Sequence, residues 1–231
     1  MVVKILFYGS HSTGKTLLLD AIERKFKLNN PPIVFGTVAE QSRALVHTGA
    51  LYQISRKDLI DEGTTAESQL SILYSHMAEE MKLYSVFALL EKKDGIPRVI
   101  LCDRGPDNLA YYERNVGPYA PELESFIKNH MKTFPYTIAI RVPITSEELI
   151  NDGERDSENK KYQLEIETMI DYLMDDKWRD CLEETQILKL EKPKNEERTD
   201  WTQDVLIALK TFIPQLNIET GSLQKWIPEE S

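Results

Sequence analysis

Apolar residues in this chain come in short runs, separated by stretches in which they recur every three or four positions. The first run, VVKILFYG ending at Gly9, is rich in β-branched and aromatic residues and predicts a buried strand. From Lys15 the spacing changes: Leu18, Ala21, Ile22 and Phe26 fall at helical intervals, and NNPP at 29–32 stops the helix. IVFGTVAE (33–40) predicts a second strand, so strand, loop, helix and strand make a right-handed crossover unit. Leu70, Leu73, Met77, Met81, Tyr84 and Phe87 step by threes and fours, which predicts one amphipathic helix over 67–91 with the Met and Leu stripe in the core. RVILCD (98–103) is a continuous apolar run ending in an aspartate, the pattern of a central parallel strand covered on both faces.

Further on, PELESFIKNHMKTF (121–134) predicts a helix and YTIAIRV (136–142) a strand. Ile166, Ile170, Leu173, Trp178 and Cys181 sketch a long helix over 157–183, QILKLE (186–191) a last strand and DWTQDVLIALKTF (200–212) a closing helix. The sum is an α/β fold, a doubly wound, mostly parallel five-stranded sheet. One domain is expected over 1–213, followed by a loosely held tail over 214–231.

Composition narrows the function. Of 231 residues, 41% are apolar and 29% charged, enough for a sizeable core and unlike a disordered chain. Acidic residues outnumber basic ones 38 to 28, for a formal charge of −10, which argues against a broad nucleic-acid surface but allows a local basic groove for a small phosphorylated ligand. Cys102 and Cys181 make neither a disulfide framework nor a CxxC pair, and four scattered histidines lack zinc-site spacing. The apolar start is too short for a signal segment, and no run approaches the roughly 18 apolar residues of a membrane span. A cytoplasmic protein is the expectation.

Between the first strand and the first helix lies GSHSTGKT, which fits the phosphate-loop pattern GxxxxGK[ST] at Gly9, Gly14, Lys15 and Thr16. Glycines permit a loop whose backbone N–H groups converge on an anion, so Gly9, Ser12, Thr13 and Gly14 are expected to cradle a nucleotide's phosphates. Lys15 would reach the terminal phosphates and Thr16 would ligate Mg²⁺, at the positive end of a helix. The second contributor to such a metal is an acid ending a neighbouring strand, here Asp103. His11 is expected to serve the loop through its backbone N–H, Gln69 and His76 to lie on the helix surface, and Trp201 is a candidate to flank the adenine.

Three further segments carry a resemblance. CDRGPDNLAYYE, with Arg104 next to Asp103 and then Asp107 and Tyr111, resembles the DR-type segment of P-loop nucleoside and nucleotide kinases. FGTVAEQSRAL, with Glu40 and Arg43, and NDGERD (151–156), with Arg155, resemble segments of the ATPase/kinase family related to the ribosylnicotinamide kinase domain. The motifs occur in that family's order over about residues 4–190. The resemblance implies a P-loop NTP hydrolase fold with a helical lid, ATP as donor, and transfer of phosphate to a small nucleoside, nucleotide or related metabolite. By the same resemblance Asp103 would orient metal-bound water, Arg155 would swing in on the lid, Glu40 would bind or deprotonate the acceptor, and Arg43 and Arg104 would be acceptor-side cations. An exposed Glu40–Arg43 ion pair at i,i+3 and a solvated charged face around Arg155 are the plainer readings of those residues. The alternative function is an NTPase used as a switch, motor or ATP-sensing module. No NKxD segment or DxxG switch is present, and about forty C-terminal residues are few for the helical domain of an AAA-type motor. Pairing into a homodimer is compatible with a kinase of this size.

Overall fold

The computed structural model describes residues 2–29, 33–42, 65–144, 160–191 and 201–214. Five strands, β1 (Val2–Tyr8), β2 (Val34–Val38), β3 (Arg98–Asp103), β4 (Ile138–Arg141) and β5 (Gln186–Lys189), form one all-parallel sheet in the order β2-β3-β1-β4-β5. Helices α1 (Lys15–Asn29), α2 (Ala66–Asp94), α3 (Leu109–Asn115), α4 (Pro121–Thr133), α5 (Lys160–Asp171) and α6 (Trp201–Phe212) cover it on both sides. The doubly wound α/β expectation therefore holds, and the strands sit where the apolar runs placed them.

The two-sided cover explains why β1 reads as a continuous apolar run. Alternate residues point to opposite faces. Val3, Ile5 and Phe7 pack with Leu19 and Ile22 of α1 and Val205 and Leu209 of α6. Val2, Leu6 and Tyr8 pack on the other side with Leu73 and Met77 of α2, Ile127 of α4 and Ile166 of α5.

Lys4 lies on this second face and is fully buried, in a position that the alternation reserves for a hydrophobe. Glu80 of α2 meets it: Lys4 Nζ donates to Glu80 Oε2 at 2.6 Å and to the carbonyl of Phe134 at 2.7 Å. Tyr136 donates its hydroxyl to Glu80 Oε1 at 2.6 Å, while His76 Nε2 and His130 Nε2 stand 3.1 and 2.8 Å from the same carboxylate. Burial alone would raise the Glu80 pKa, but the Lys4 ammonium and the two histidine hydrogen bonds outweigh it and hold the group well below the usual carboxylate range. His76, Glu80 and Cys102 also bring ligand-type atoms within 4.8 Å of one another. Glu80 is already saturated by Lys4, Tyr136 and the histidines, so the cation of this knot is the ammonium.

This knot corrects two expectations for α2. His76 is completely buried instead of lying on the surface, and Gln69 is half-buried. Met81 is 40% exposed, because Glu80 takes the inward-facing place on that turn. A third correction concerns 157–183, which is not one α-helix. After Asp171 the chain makes a π-type turn over Tyr172–Lys177, closed by Trp178 N–H on the carbonyl of Leu173 at 2.9 Å, then a 3₁₀ turn over Arg179–Cys181. The wider turn changes the helical phase while keeping Leu173, Met174 and Trp178 buried.

Removing one partner of a buried pair strands the other charge. Glu80→Ala is expected to destabilise the fold by about 3–5 kcal/mol, whereas replacing both partners, Lys4→Met with Glu80→Leu, costs less. Urea denaturation of the three proteins checks this. The Glu80 contribution is fully present above its ordinary value of 4.5 and is lost as pH falls through the depressed native value.

Candidate nucleotide site

Strand register assembles the site. β1 pairs with β3 so that Phe7 lies against Asp103, and with β4 so that Tyr8 lies against Arg141. The chain leaving β1 therefore emerges between Asp103 on one side and Arg141 on the other. It turns at once at Gly9, where φ is 137°. A Cβ there would stand 2.6 Å from the carbonyl oxygen of Val142 and 2.8 Å from Arg141 Nη1, so only glycine fits. Ser12 and Gly14 also have positive φ, 57° and 87°, which curls the loop back on itself before α1 begins at Lys15.

Lys15 bridges the loop from inside. Its ammonium donates to the carbonyl of Gly9 and the hydroxyl of Thr13, both at 3.0 Å, and to the carbonyl of Ser10. Burial, with the Arg104 charge in addition, lowers the Lys15 pKa to about 7, against the opposing pull of Asp103, Asp107 and Glu40. At the second position of α1, Thr16 donates its hydroxyl to Asp103 Oδ2 at 2.7 Å. A hydroxyl and a carboxylate this close are a hard-oxygen donor pair of the type Mg²⁺ takes.

Beside Asp103 the backbone of Arg104 adopts φ 77°, a conformation that costs a non-glycine residue roughly 1–2 kcal/mol. Its N–H donates to the Phe7 carbonyl at 3.0 Å, which ties the turn to β1. The buried guanidinium donates from Nη1 to the Gly9 carbonyl at 3.2 Å, lies 3.3 Å from Glu40 through Nε, and sits 4.8 Å above the Tyr111 ring. Asp107, wholly buried, accepts from the Gly105 N–H at 2.7 Å and places its other oxygen 4.0 Å from Arg104 Nη1. Burial raises its pKa, opposed by Arg104 and Lys15. Gly105 is in turn pressed onto the Glu80 knot, since a Cβ on it would come within 2.7 Å of the Tyr136 hydroxyl.

Sequence reasoning thus marks Gly9, Ser12, Thr13, Gly14, Lys15, Thr16, Glu40, Asp103 and Arg104, and the fold brings them to one end of β1. Glu40 pairs with Arg104, which gives it a partner beside the loop. Arg43 and Arg155 lie outside the described residues. The His11 carbonyl accepts from Gln163 Nε2 at 2.7 Å, while its ring packs against Tyr111 and Tyr162. Trp201 is a core residue, with its Nε1–H on the Glu191 carbonyl at 3.1 Å, and does not stand out as an adenine platform. Arg141 and the α5 residues Gln163 and Glu167 also surround the root of the loop and are not among the expected site residues; their signal in the chain is a polar residue at every fourth position beside Ile166 and Ile170.

A parallel sheet, a glycine loop opening a helix, and a lysine and threonine at that helix's start define a P-loop nucleotide-binding protein. The family described as the AAA domain matches residues 4–198, and the chain belongs to it. No curated protein matches the chain. Among the described residues no helix is long and apolar enough to cross a membrane.

Two outcomes follow from this geometry. Gly9→Ala is expected to weaken nucleotide binding by roughly tenfold or more, through left-handed strain and the clash with Val142, in a titration with a fluorescent ATP analogue. Lys15, neutral above pH about 7 in the free protein, must be charged to meet a phosphate. Nucleotide binding should therefore take up protons at pH 8 and few at pH 6, and affinity should fall as pH rises through that value. Calorimetry in buffers of different ionisation enthalpy measures the uptake.

Proposed function

We propose that the protein is an ATP- and Mg²⁺-dependent phosphotransferase acting on a small nucleoside, nucleotide or related metabolite, akin to the ribosylnicotinamide kinase domain. The observation that carries this reading is Arg104, a strained, buried arginine directly after Asp103, held against the root of the phosphate loop with Glu40 at 3.3 Å. Backbone strain of this kind persists where surrounding contacts over-determine it, and it clusters at functional sites.

In this reading the loop amides and Lys15 hold the donor phosphates, and Lys15 exchanges its grip on Gly9, Ser10 and Thr13 for theirs. Thr16 and Asp103 would hold Mg²⁺, which supplies charge neutralisation on the donor phosphates when bound. Arg104 draws the acceptor towards the end of β1, and Glu40 receives the proton of its hydroxyl as the new P–O bond forms and ADP departs. By the resemblance, Arg43 and Arg155 would add further cations. Phosphoryl transfer is mostly positioning and charge stabilisation, and this set is sufficient for both.

The test is acceptor-dependent ADP release from ATP and Mg²⁺ across a panel of nucleosides, mononucleotides and nicotinamide riboside. Lys15→Ala should abolish turnover and Asp103→Asn should lower kcat by on the order of 10² or more. Glu40→Gln should depress acceptor-stimulated turnover while leaving ATP binding nearly intact. ADP release that ignores every acceptor would instead indicate an NTPase used as a switch.

A further inference from the structure

The helix α5 carries the sequence YQLEIETMID, in which Gln163, Glu167 and Asp171 recur every four residues and Ile166 and Ile170 fill the adjoining face. Residues four apart share a side of a helix. Here that polar side faces the protein. Gln163 is 1% exposed and donates to the His11 carbonyl at 2.7 Å. Glu167 accepts the Ser10 N–H on Oε2 at 3.0 Å and pairs through Oε1 with Arg141 Nη2 at 2.6 Å. Arg141 is itself fixed at the end of β4 by Asp171, at 2.7 Å, and by the Val142 carbonyl, at 3.1 Å.

The peptide joining Gly9 to Ser10 is trans, so its C=O and N–H point in opposite directions. The Gly9 carbonyl points inward to Lys15 and Arg104. The Ser10 N–H therefore points outward, away from where a phosphate would enter, and that outward group is the one Glu167 holds. This first peptide plane of the loop is gripped at both ends. When Lys15 turns to a phosphate, two carbonyls of the loop lose their ammonium, and a loop free to reorient would have to be reordered at the expense of affinity.

We propose that Glu167, with Gln163 beside it, is a positioning residue of the phosphate loop: its carboxylate holds the outward Ser10 N–H so that the loop keeps its shape once Lys15 has let go. A rigid path runs from β4 through Arg141 to Glu167 and into the loop. The inference rests on the loop's role in nucleotide binding and not on the transfer chemistry.

The test combines amide hydrogen exchange at residues 9–14 of the nucleotide-free protein with binding of a fluorescent ATP analogue. Glu167→Ala should speed exchange at Ser10 and lower affinity roughly tenfold. Glu167→Gln keeps an oxygen for the Ser10 N–H and should stay within about threefold of wild type. Glu167→Asp keeps the charge for Arg141 but draws the oxygen back, and should behave like the alanine variant while preserving the fold. Glu165→Gln, which removes a carboxylate of α5 that pairs with Arg114 and does not touch the loop, should match wild type in Ser10 exchange and affinity. Wild-type exchange and affinity in folded Glu167→Ala or Glu167→Asp would overturn the proposal, as would a glutamine variant as impaired as alanine. If wild type itself bound no nucleotide, the assignment of the loop would fail, while faster Ser10 exchange in the variants would still support the clamp.

Discussion

The hydrogen bond from Thr16 to Asp103 joins the first turn of α1 to the last residue of β3, and the site is organised around it. It can form only because β1 and β3 pair in the register that sets Phe7 against Asp103. A slip of one residue would turn every β3 side chain to the opposite face. That register is enforced by burial, since both faces of β1 and β3 are packed and neither tolerates a polar residue without a partner. The chemistry at the loop is in this sense a consequence of the core.

Two polar layers stack beneath the loop. The upper one contains Lys15, Arg104, Asp103, Asp107 and Glu40. The lower one is the Lys4–Glu80 knot, with Tyr136 and two histidines, inside an otherwise apolar face. Gly105 is the point of contact, close enough to the Tyr136 hydroxyl that no side chain fits between. The turn carrying Arg104 thus rests on the hydrogen-bonded network centred on Glu80 instead of on hydrocarbon alone, which holds the unfavourable φ of Arg104 in place. On the far side, Arg141 and Glu167 steady the opposite wall of the loop. The loop is bounded by fixed charges on both sides before any ligand arrives, and preorganisation of this kind lessens the ordering cost of binding.

Much of this was legible in the residues. The apolar runs placed every strand, and the glycine, lysine and threonine spacing placed the loop, because both signals are local. Asp103 and Arg104 could be read from their position at the end of a strand. Partnerships across long separations could not. Nothing near Glu80 in the chain announces Lys4, 76 residues away, although a lysine inside the β1 apolar run was itself a sign that some acid must come to meet it. The α2 stripe was assigned by hydrophobicity alone, so Met81 was placed inward where Glu80 belongs. The period of four through Gln163, Glu167 and Asp171 is visible in the chain, but what it faces follows only from the packing of α5 over the loop. The π-type turn after Asp171 has no local signature, being set by how Leu173 and Trp178 reach the core.

The central claim is that a nucleotide's phosphates lie in the loop beside a cation held by Thr16 and Asp103. Electron paramagnetic resonance of Mn²⁺ with ATP measures this most directly, because the manganese spin reports nearby phosphorus nuclei. A protein-bound Mn²⁺·ATP signal with ³¹P coupling is expected, and it should be lost in Thr16→Val and in Asp103→Ala. A ³¹P-coupled signal of wild-type strength in both variants, or Mn²⁺ bound away from phosphorus, would contradict it.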